Sequence, residues 1–419
     1  MKHALSKPFI DLLNKKFDIT ILAPFKISEV DLVYLALNKE QFINYSLNTR
    51  SIRRNICRVV DYFRRYSFFY RNSDKLGMMK FYLEILSSSA YPKLLKWIAY
   101  FCSLCKVDQV LWKGLDFFLW RLYTPRNIKD LNLSCDIFIQ FSNWGFNDFV
   151  IKNANFLKNA KKVFFPYTTD QVCATGYLLF DFEKIYCQSE KERSLLQALH
   201  DFKGESRLAG SLWLRHIDFL LHRKEIILRR KPNSIVYAGV SSEFFPKCAE
   251  VEFINNLQKQ FPNYEILYLP YFSCDENKNR LENVHKNIKV EIPESTIVEV
   301  SANKLIYLKS DIINYIEKLI GANLFVMSFN TSMGIDFAYL NKKKIFSYFK
   351  DDKGKVAAGP YINMERMFFF GPYYKEIDSS YKFTSSDLEI VSSPASNNWD
   401  ADIELSSVIK DLYEYGKKI

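Results

Sequence analysis

Glycine is scarce in this chain, with 13 in 419 residues, roughly 3% against a usual ~7%. The glycine-rich loops that cradle phosphates are missing with it. Neither Gly-x-x-x-x-Gly-Lys-Ser/Thr nor Gly-x-Gly-x-x-Gly occurs, which disfavours kinases, ATPases and simple dehydrogenases. Histidine is rarer still, at five residues, and His200, His216, His222 and His285 fall in no clear cleft loop. Eight scattered cysteines in so long a chain are not a disulfide framework. The one close pair, Cys102 and Cys105, has no second pair and no nearby histidine, so neither zinc nor redox chemistry is expected of it. Asp400-Ala401-Asp402 precedes the last helix instead of following a buried strand. It reads as a helix first-turn acid, and no essential metal is expected. Long apolar runs are lacking as well. The uncharged stretch Leu319–Ile335 is broken by Asn323, Ser328, Asn330, Thr331 and Ser332, and Trp97–Cys105 covers only nine residues, short of the roughly 20 that span a bilayer. Met1–Pro24 mixes charged and apolar residues, so no secretory leader is expected and the reading is cytoplasmic.

What the chain has in plenty is aromatic: 36 Phe, 26 Tyr and 6 Trp. With 48% apolar and 25% charged residues it is globular in composition, not disordered. At roughly 150 residues per domain, two or three domains are expected. The net charge of +11 is unevenly placed. Residues 1–130 hold 22 of the 58 Lys/Arg and 11 of the 47 Asp/Glu, leaving 36 of each for the rest, so the first third carries all of it. A surface of that sign faces a phospholipid, a nucleic acid or a phosphorylated substrate, unless it is only a solvated face.

Periodicity predicts a helix over 5–14 and a short strand over 18–22, with no strand before that helix as a doubly wound sheet would have. Residues 50–122 read as helices. Arg53, Arg54, Arg58, Arg64, Arg65 and Arg71 interleave with aromatics, and the helical pattern continues over 78–86, 94–105 and 110–122. Two readings fit: basic amphipathic helices on a membrane surface, or buried packing with extended arginine stems. From 135 strands and helices alternate: strands at 136–140, 162–166, 184–187 and 207–210, helices at 147–157 and 189–200, the latter with a capping box at Ser189 and Glu192. The charged stretch His222–Pro232 reads as a linker. A second set follows, with strands at 233–239, 265–269, 288–291, 323–327 and 344–348 and helices at 250–260, 310–321, 331–340 and 403–415. This pattern predicts two α/β domains with parallel sheets, 1–228 with its helical region 50–122 and 229–419.

The richest segment runs from Asp311 to Phe349. A helix leads through Gly321-Ala322-Asn323 to an apolar strand, then to Ser328-Phe329-Asn330-Thr331-Ser332, a small-residue helix start and Asp336. A Ser/Thr turn opening a helix at a parallel sheet's carboxyl edge offers free N–H groups, a positive dipole end and hydroxyls to an anion. Thr331 and Ser332 are equally suited to plain N-capping. After the domain's first strand, Gly239 permits close backbone approach and Ser241 and Ser242 bring hydroxyls. Tyr268 and Tyr271 suit stacking on a base or sugar, or an aromatic core.

The segment 311–349 resembles the nucleotide-sugar half of GT-B-fold bacterial surface-polysaccharide and lipopolysaccharide glycosyltransferases. In that pattern a helix precedes "ADlvIs", then "-sTs-giEA", then "lgkPvI". Asn323, Ser328, Thr331, Ser332, Gly334, Asp336 and Ala338 fall on it, with Asp336 for the usual Glu and Lys342 to Lys344 where proline stands. Residues 162–218 resemble the late N-terminal domain of the same enzymes, with Tyr167-Thr168-Thr169-Asp170 as the polar cleft loop and Asp218 as the acid leading to the linker. The basic region 41–130 lies outside the resemblance. Leu269 occupies the place of the His found in related CMP-sugar sialyltransferases, which counts against that chemistry.

The resemblance implies two Rossmann-like domains facing a cleft and a metal-independent glycosyltransferase. It would need no separate cofactor beyond a UDP- or CMP-linked nucleotide-sugar donor, with a glycan or lipid-linked acceptor. Asp170 is the expected catalytic carboxylate, a general base if the reaction inverts; if it retains, a nearby carboxylate is the nucleophile. Donor contacts are expected from Gly239, Ser241, Ser242, Tyr268, Glu294, Ser328, Asn330, Thr331, Ser332 and Asp336. The basic helices 50–122 would meet the acceptor's phosphates or an anionic inner leaflet. Two other functions compete. A non-hydrolysing nucleotide-sugar 2-epimerase shares the architecture, but such enzymes rely on several histidines. A non-catalytic membrane or nucleic-acid scaffold would use the basic aromatic helices, yet no recognised nucleic-acid motif appears and no nucleic-acid partner is expected.

Overall fold

The computed structural model describes residues 5–23, 26–45, 52–72, 90–123, 131, 133–142, 154–166, 172, 176–223, 233–239, 247–270, 288–291, 305–306, 308–328, 333–350, 373–391 and 403–417. Its first elements are α1 (Lys7–Asn14), β1 (Ile21–Ala23), β2 (Lys26–Ile27), α2 (Glu29–Tyr34) and β3 (Phe42–Asn44). Three helices follow, α3 (Ile52–Arg71), α4 (Ala90–Leu104) and α5 (Asp108–Tyr123). Then come β4 (Ile137–Gln140), β5 (Lys161–Phe164), β6 (Lys184–Cys187), α6 (Glu190–His200), β7 (Glu205–Leu208) and α7 (Leu212–His222). The next group is β8 (Ser234–Ala238), α8 (Lys247–Gln260), β9 (Glu265–Leu269), β10 (Ile288–Val290), β11 (Leu305–Ile306) and α9 (Leu308–Ile320). The last is β12 (Leu324–Ser328), α10 (Met333–Asn341), β13 (Ile345–Lys350), β14 (Tyr374–Asp378) and α11 (Leu405–Lys417).

The chain forms two compact units. One comprises Met1–His216, Val300–Leu308 and Trp399–Ile419; the other Ile217–Glu299 and Lys309–Asn398. Each is built on a parallel sheet flanked by helices, the two-domain Rossmann-like α/β class expected from the alternation of strands and helices.

In the first unit β4, β5, β6 and β7 lie side by side in chain order, all parallel. β1 pairs with β3, and β2 with β11, as separate two-stranded parallel pairs. Small corrections to the expected boundaries have physical causes. The strand read at 207–210 runs from Glu205 to Leu208, because it follows the register of β6 and the chain turns at Gly210, which sits at φ 70°. Of the helix read at 147–157, the described part is a single 3-10 turn, Asn155–Leu157. The segment 78–86 lies outside the described residues. Ser189 does cap α6, accepting from the Glu192 N–H at 3.2 Å, but the Glu192 carboxylate takes the Gln188 N–H at 2.5 Å and so clamps the residue before the cap.

The arginine-rich helix α3 is largely an interior element. Val60, Phe63, Arg64, Tyr66, Phe68 and Phe69 are buried. Arg64 donates Nη2 to Asp61 at 2.8 Å and Nη1 to the Tyr177 carbonyl, and its guanidinium lies over the Trp112 ring. Arg65 meets the other Asp61 oxygen at 2.8 Å. Arg71 donates to buried Asp108, which also accepts from the Tyr177 hydroxyl at 2.5 Å. Of the two readings of these arginines, the structure shows the buried one for Arg64 and Arg65; the side chains of Arg53, Arg54 and Arg58 lie outside the described residues.

The last helix is clasped to β6 and β7 by a network of charges. Lys184, 2% exposed, places Nζ 2.6 Å from Asp411 and 3.1 Å from Glu205. Arg207 bridges the same two acids, at 2.7 Å and 2.6 Å, and Tyr186 donates to Asp411 at 2.5 Å. Burial works to raise the Glu205 carboxyl, but the hydrogen bonds from Arg207 and Lys184 outweigh it and hold the pKa low. An ammonium this deep needs its carboxylates. Asp411→Ala therefore costs about 3 kcal/mol of stability, measured by urea denaturation of the full chain, whereas a combined Lys184→Met/Asp411→Leu change recovers most of it. A second expectation concerns pH. His216 is fully buried and its Nε2 shares a hydrogen bond with the Tyr34 hydroxyl at 2.8 Å; burial, with a contribution from Lys7, pushes its pKa down to about 4. A depressed histidine stabilises the fold above its unfolded value of about 6.5, and the contribution is lost as the pH falls toward the folded value. The urea midpoint should fall across that window, and His216→Phe should shrink the slope.

Candidate functional site

In the second unit six parallel strands run in the order β10-β9-β8-β12-β13-β14. From β8 the chain first adds β9 and β10 on one side, then crosses to β12, β13 and β14 on the other. The order reverses between β8 and β12. In open parallel sheets ligands bind at the carboxyl ends of the strands where this reversal occurs. Among the described residues of the first unit, the four sequential strands have no such reversal.

The strands are buried along almost their whole length, and they read accordingly as Ser-Ile-Val-Tyr-Ala, Glu-Ile-Leu-Tyr-Leu and Leu-Phe-Val-Met-Ser. Strands covered on both faces are normally apolar throughout. Tyr237, Tyr268 and Ser328 break that rule at the carboxyl end, and all three converge on Glu250 in the first turn of α8. Tyr237 and Tyr268 are register partners on adjacent strands with ring centroids 5.8 Å apart. The Tyr268 hydroxyl donates to Glu250 Oε2 at 2.6 Å, and Ser328 Oγ donates to Oε1 at 2.6 Å. The Tyr237 hydroxyl completes the chain by bonding Ser328 Oγ. With Glu250 ionised the donors have one consistent order, Tyr237 to Ser328 to Glu250, with Tyr268 feeding the second oxygen. Burial, reinforced by the Glu250 charge, holds the Tyr237 hydroxyl protonated far above its ordinary range.

Gly239 closes this cluster. Its N–H donates to the Leu269 carbonyl at 2.9 Å, continuing the ladder one residue past β8. A Cβ there would stand 3.0 Å from Glu250 Oε1 and 3.0 Å from a Tyr268 ring carbon. The carboxylate and the tyrosine rise directly against the backbone, and a side chain at 239 would force them to shift by a few tenths of an ångström.

The residues expected at the donor site thus divide. Gly239, Tyr268 and Ser328 are brought together, with Tyr268 and Ser328 sealed in the interior and not facing solvent. Asp336 is buried in the first turn of α10 and accepts from the Tyr315 hydroxyl of α9 at 2.6 Å. Burial and the Asp336 charge keep Tyr315 protonated. Asp218 lies on α7 and accepts from Tyr339 at 2.6 Å, and Lys342 stands over the Tyr339 ring at 4.6 Å. Asp170, Ser241, Ser242, Glu294, Asn330, Thr331 and Ser332 lie outside the described residues. Glu250 was not singled out from the sequence, where it reads only as the start of a helix. The signal for it was indirect: three hydroxyls at strand positions that burial would otherwise make apolar.

Removing the common acceptor takes the partner from two buried hydroxyls at once, those of Tyr268 and Ser328. Glu250→Ala is expected to lower the unfolding free energy by about 3 kcal/mol, and Tyr268→Phe, which leaves the carboxylate its other donors, by about 2 kcal/mol. Urea titrations of the two variants check both values and their order.

Compared with known proteins, the chain matches no protein-family model and no curated protein. Among solved structures it is similar to the S. aureus MnaA–UDP co-structure, at 9% identity over 83% of this chain and 76% of that one, with a TM-score of 0.45.

Proposed function

We propose that the chain is an enzyme that uses a nucleotide sugar, and that it transfers the sugar to a glycan or lipid-linked acceptor. The observation that carries the reading is the strand-order reversal between β8 and β12, with Gly239 directly after one strand, Ser328 ending the other and α10 opening five residues later. A small-residue crevice beside a helix N-terminus suits a diphosphate, because backbone N–H groups and the dipole meet its charge. The sequence pattern across 323–338 supports a nucleotide-sugar donor over other phosphates. On this reading the hydroxyls of Thr331 and Ser332 hold the leaving diphosphate, and Gly239 lets the backbone come close.

The buried Glu250 cluster positions this crevice from beneath. It locks the ends of β8, β9 and β12 to α8, so the two edges hold their spacing whether or not a ligand is bound. Asp336 does the same for α10 through Tyr315. Asp170 belongs to the acceptor side on this reading, as general base if transfer inverts, and the UDP or CMP leaves without a metal. Transfer then depends on hydrogen-bond donors already aimed at the charge that develops on the leaving oxygen.

Thermal unfolding against UDP, CMP, GDP and their sugars, with and without EDTA, tests the reading. A ligand at about 100 times its dissociation constant stabilises by roughly 2.7 kcal/mol, which is readily seen as a shift. One nucleotide class should give it, EDTA should leave it unchanged, and Thr331→Ala/Ser332→Ala should weaken it about tenfold or more. The absence of a shift with every nucleotide would overturn the proposal. Conversion of the bound nucleotide sugar to its 2-epimer in the absence of any acceptor would replace transfer with epimerisation.

A further inference from the structure

The helices after α3 are built the opposite way round from it. Along α4, Leu94, Trp97, Ile98, Phe101 and Leu104 recur at helical spacing and should be a buried stripe. They are instead exposed, Trp97 by 62% and Leu104 by 60%, while Ala99 on the other face is buried. Exposed apolar side chains continue past the turn at Lys106 with Val107 and then Val110, Leu111 and Leu115 of α5, Val110 being 73% exposed. Trp97, Tyr100 and Phe101 pack on one another, centroids 5.7 to 6.3 Å apart, and so form a ready-made aromatic block. A contiguous apolar face of this kind marks a contact surface.

Its surroundings say what covers it. The nearby charges are mainly basic: Lys96, Lys106 and Lys113, the last paired at 3.4 Å with exposed Asp181. A cavity of about 430 Å³ opens beside the ridge and shares Tyr100 and Leu104 with it; Arg71, Lys106, Tyr70 and Ser103 add cations and hydroxyls, and Asp201 is its one acid. Aromatic and aliphatic side chains flanked by lysines fit the boundary between acyl chains and anionic headgroups. Among the described residues no helix is long and apolar enough to cross a membrane, so the ridge would lie along the surface.

We propose that the α4–α5 ridge docks the protein on an anionic phospholipid bilayer, with Trp97 and Phe101 in the acyl boundary and a headgroup phosphate in the cavity against Arg71 and Lys106. The basic first third of the chain then acts through two separate devices. Arg64 and Arg65 of α3 turn inward to the structural carboxylate of Asp61, and Arg71 at the end of α3 joins α4 and α5 in meeting the lipid. This proposal stands apart from the nucleotide-sugar reading.

Flotation of the full chain with vesicles of phosphatidylcholine alone, or of equimolar phosphatidylcholine and phosphatidylglycerol, tests it. Binding is expected to the mixed vesicles only. It should fall about tenfold in Trp97→Glu/Phe101→Glu and also in Lys106→Glu, with unchanged melting temperatures, since all three side chains are at the surface. Inorganic phosphate at the same ionic strength should not compete. No flotation with the mixed vesicles, or equal flotation of the double variant, would overturn the proposal. So would a dimer in sedimentation velocity that Trp97→Glu/Phe101→Glu dissolves, which would assign the ridge to a second copy. Nucleotide-induced stabilisation, measured on the same variants, reports separately on the other unit.

Discussion

A single carboxylate, that of Glu250, sets the geometry of the second unit. Placing it in the interior is costly unless its oxygens are filled, and Tyr268 and Ser328 fill them with short hydrogen bonds. Those partners sit on β9 and β12, and Tyr237 on β8 joins through Ser328, so three strands and one helix are held at one point. An apolar core tolerates small slides of one strand against another. A charge with fixed donors does not, because each ångström of slip exposes an unpaired oxygen. Gly239 records the same constraint in the backbone, since a side chain there would press on both Glu250 and Tyr268.

The class of fold was legible in the sequence, because apolar runs of strand length separated by helical repeats survive in any parallel sheet. β6 and β9 coincide with their expected limits, and β8, β12 and α6 lie within a residue or two. Less was legible where the cause is tertiary. β14, Tyr374–Asp378, carries Lys375, Glu376 and Asp378 on an edge strand, and nothing in that composition announces a strand. β2 and β11 are two residues each and exist only because they find one another across about two thirds of the chain. Glu250 lay hidden for a related reason: an acid near a helix start is ordinary, and only its neighbours in space make it unusual.

The basic first third shows how little composition says about orientation. Arginines of α3 and lysines of α4, α5 and the turn between them contribute the same sign of charge, yet Arg64 is fully buried and Lys106 is exposed. The difference lies in partners. Asp61 and Asp108 stand within reach of the arginines, and a planar guanidinium can share its donors among a carboxylate, a carbonyl and an aromatic face. The apolar stripe of α4 has no such claim on the interior and is left outside.

The clasp on α11 has a consequence for how the molecule is made. Lys184 is translated early, but Asp411 comes only after the whole of the second unit, Ile217–Glu299 and Lys309–Asn398, has been synthesised. Until α11 emerges, Lys184 in the nascent first unit has Glu205 but lacks Asp411, the nearer of its two carboxylates. The second unit has no such debt to later residues, since β8 through β14 and Glu250 are contiguous apart from one short excursion. Its folding on the ribosome can therefore finish first, and the portion of the protein that is made first is the last to be completed.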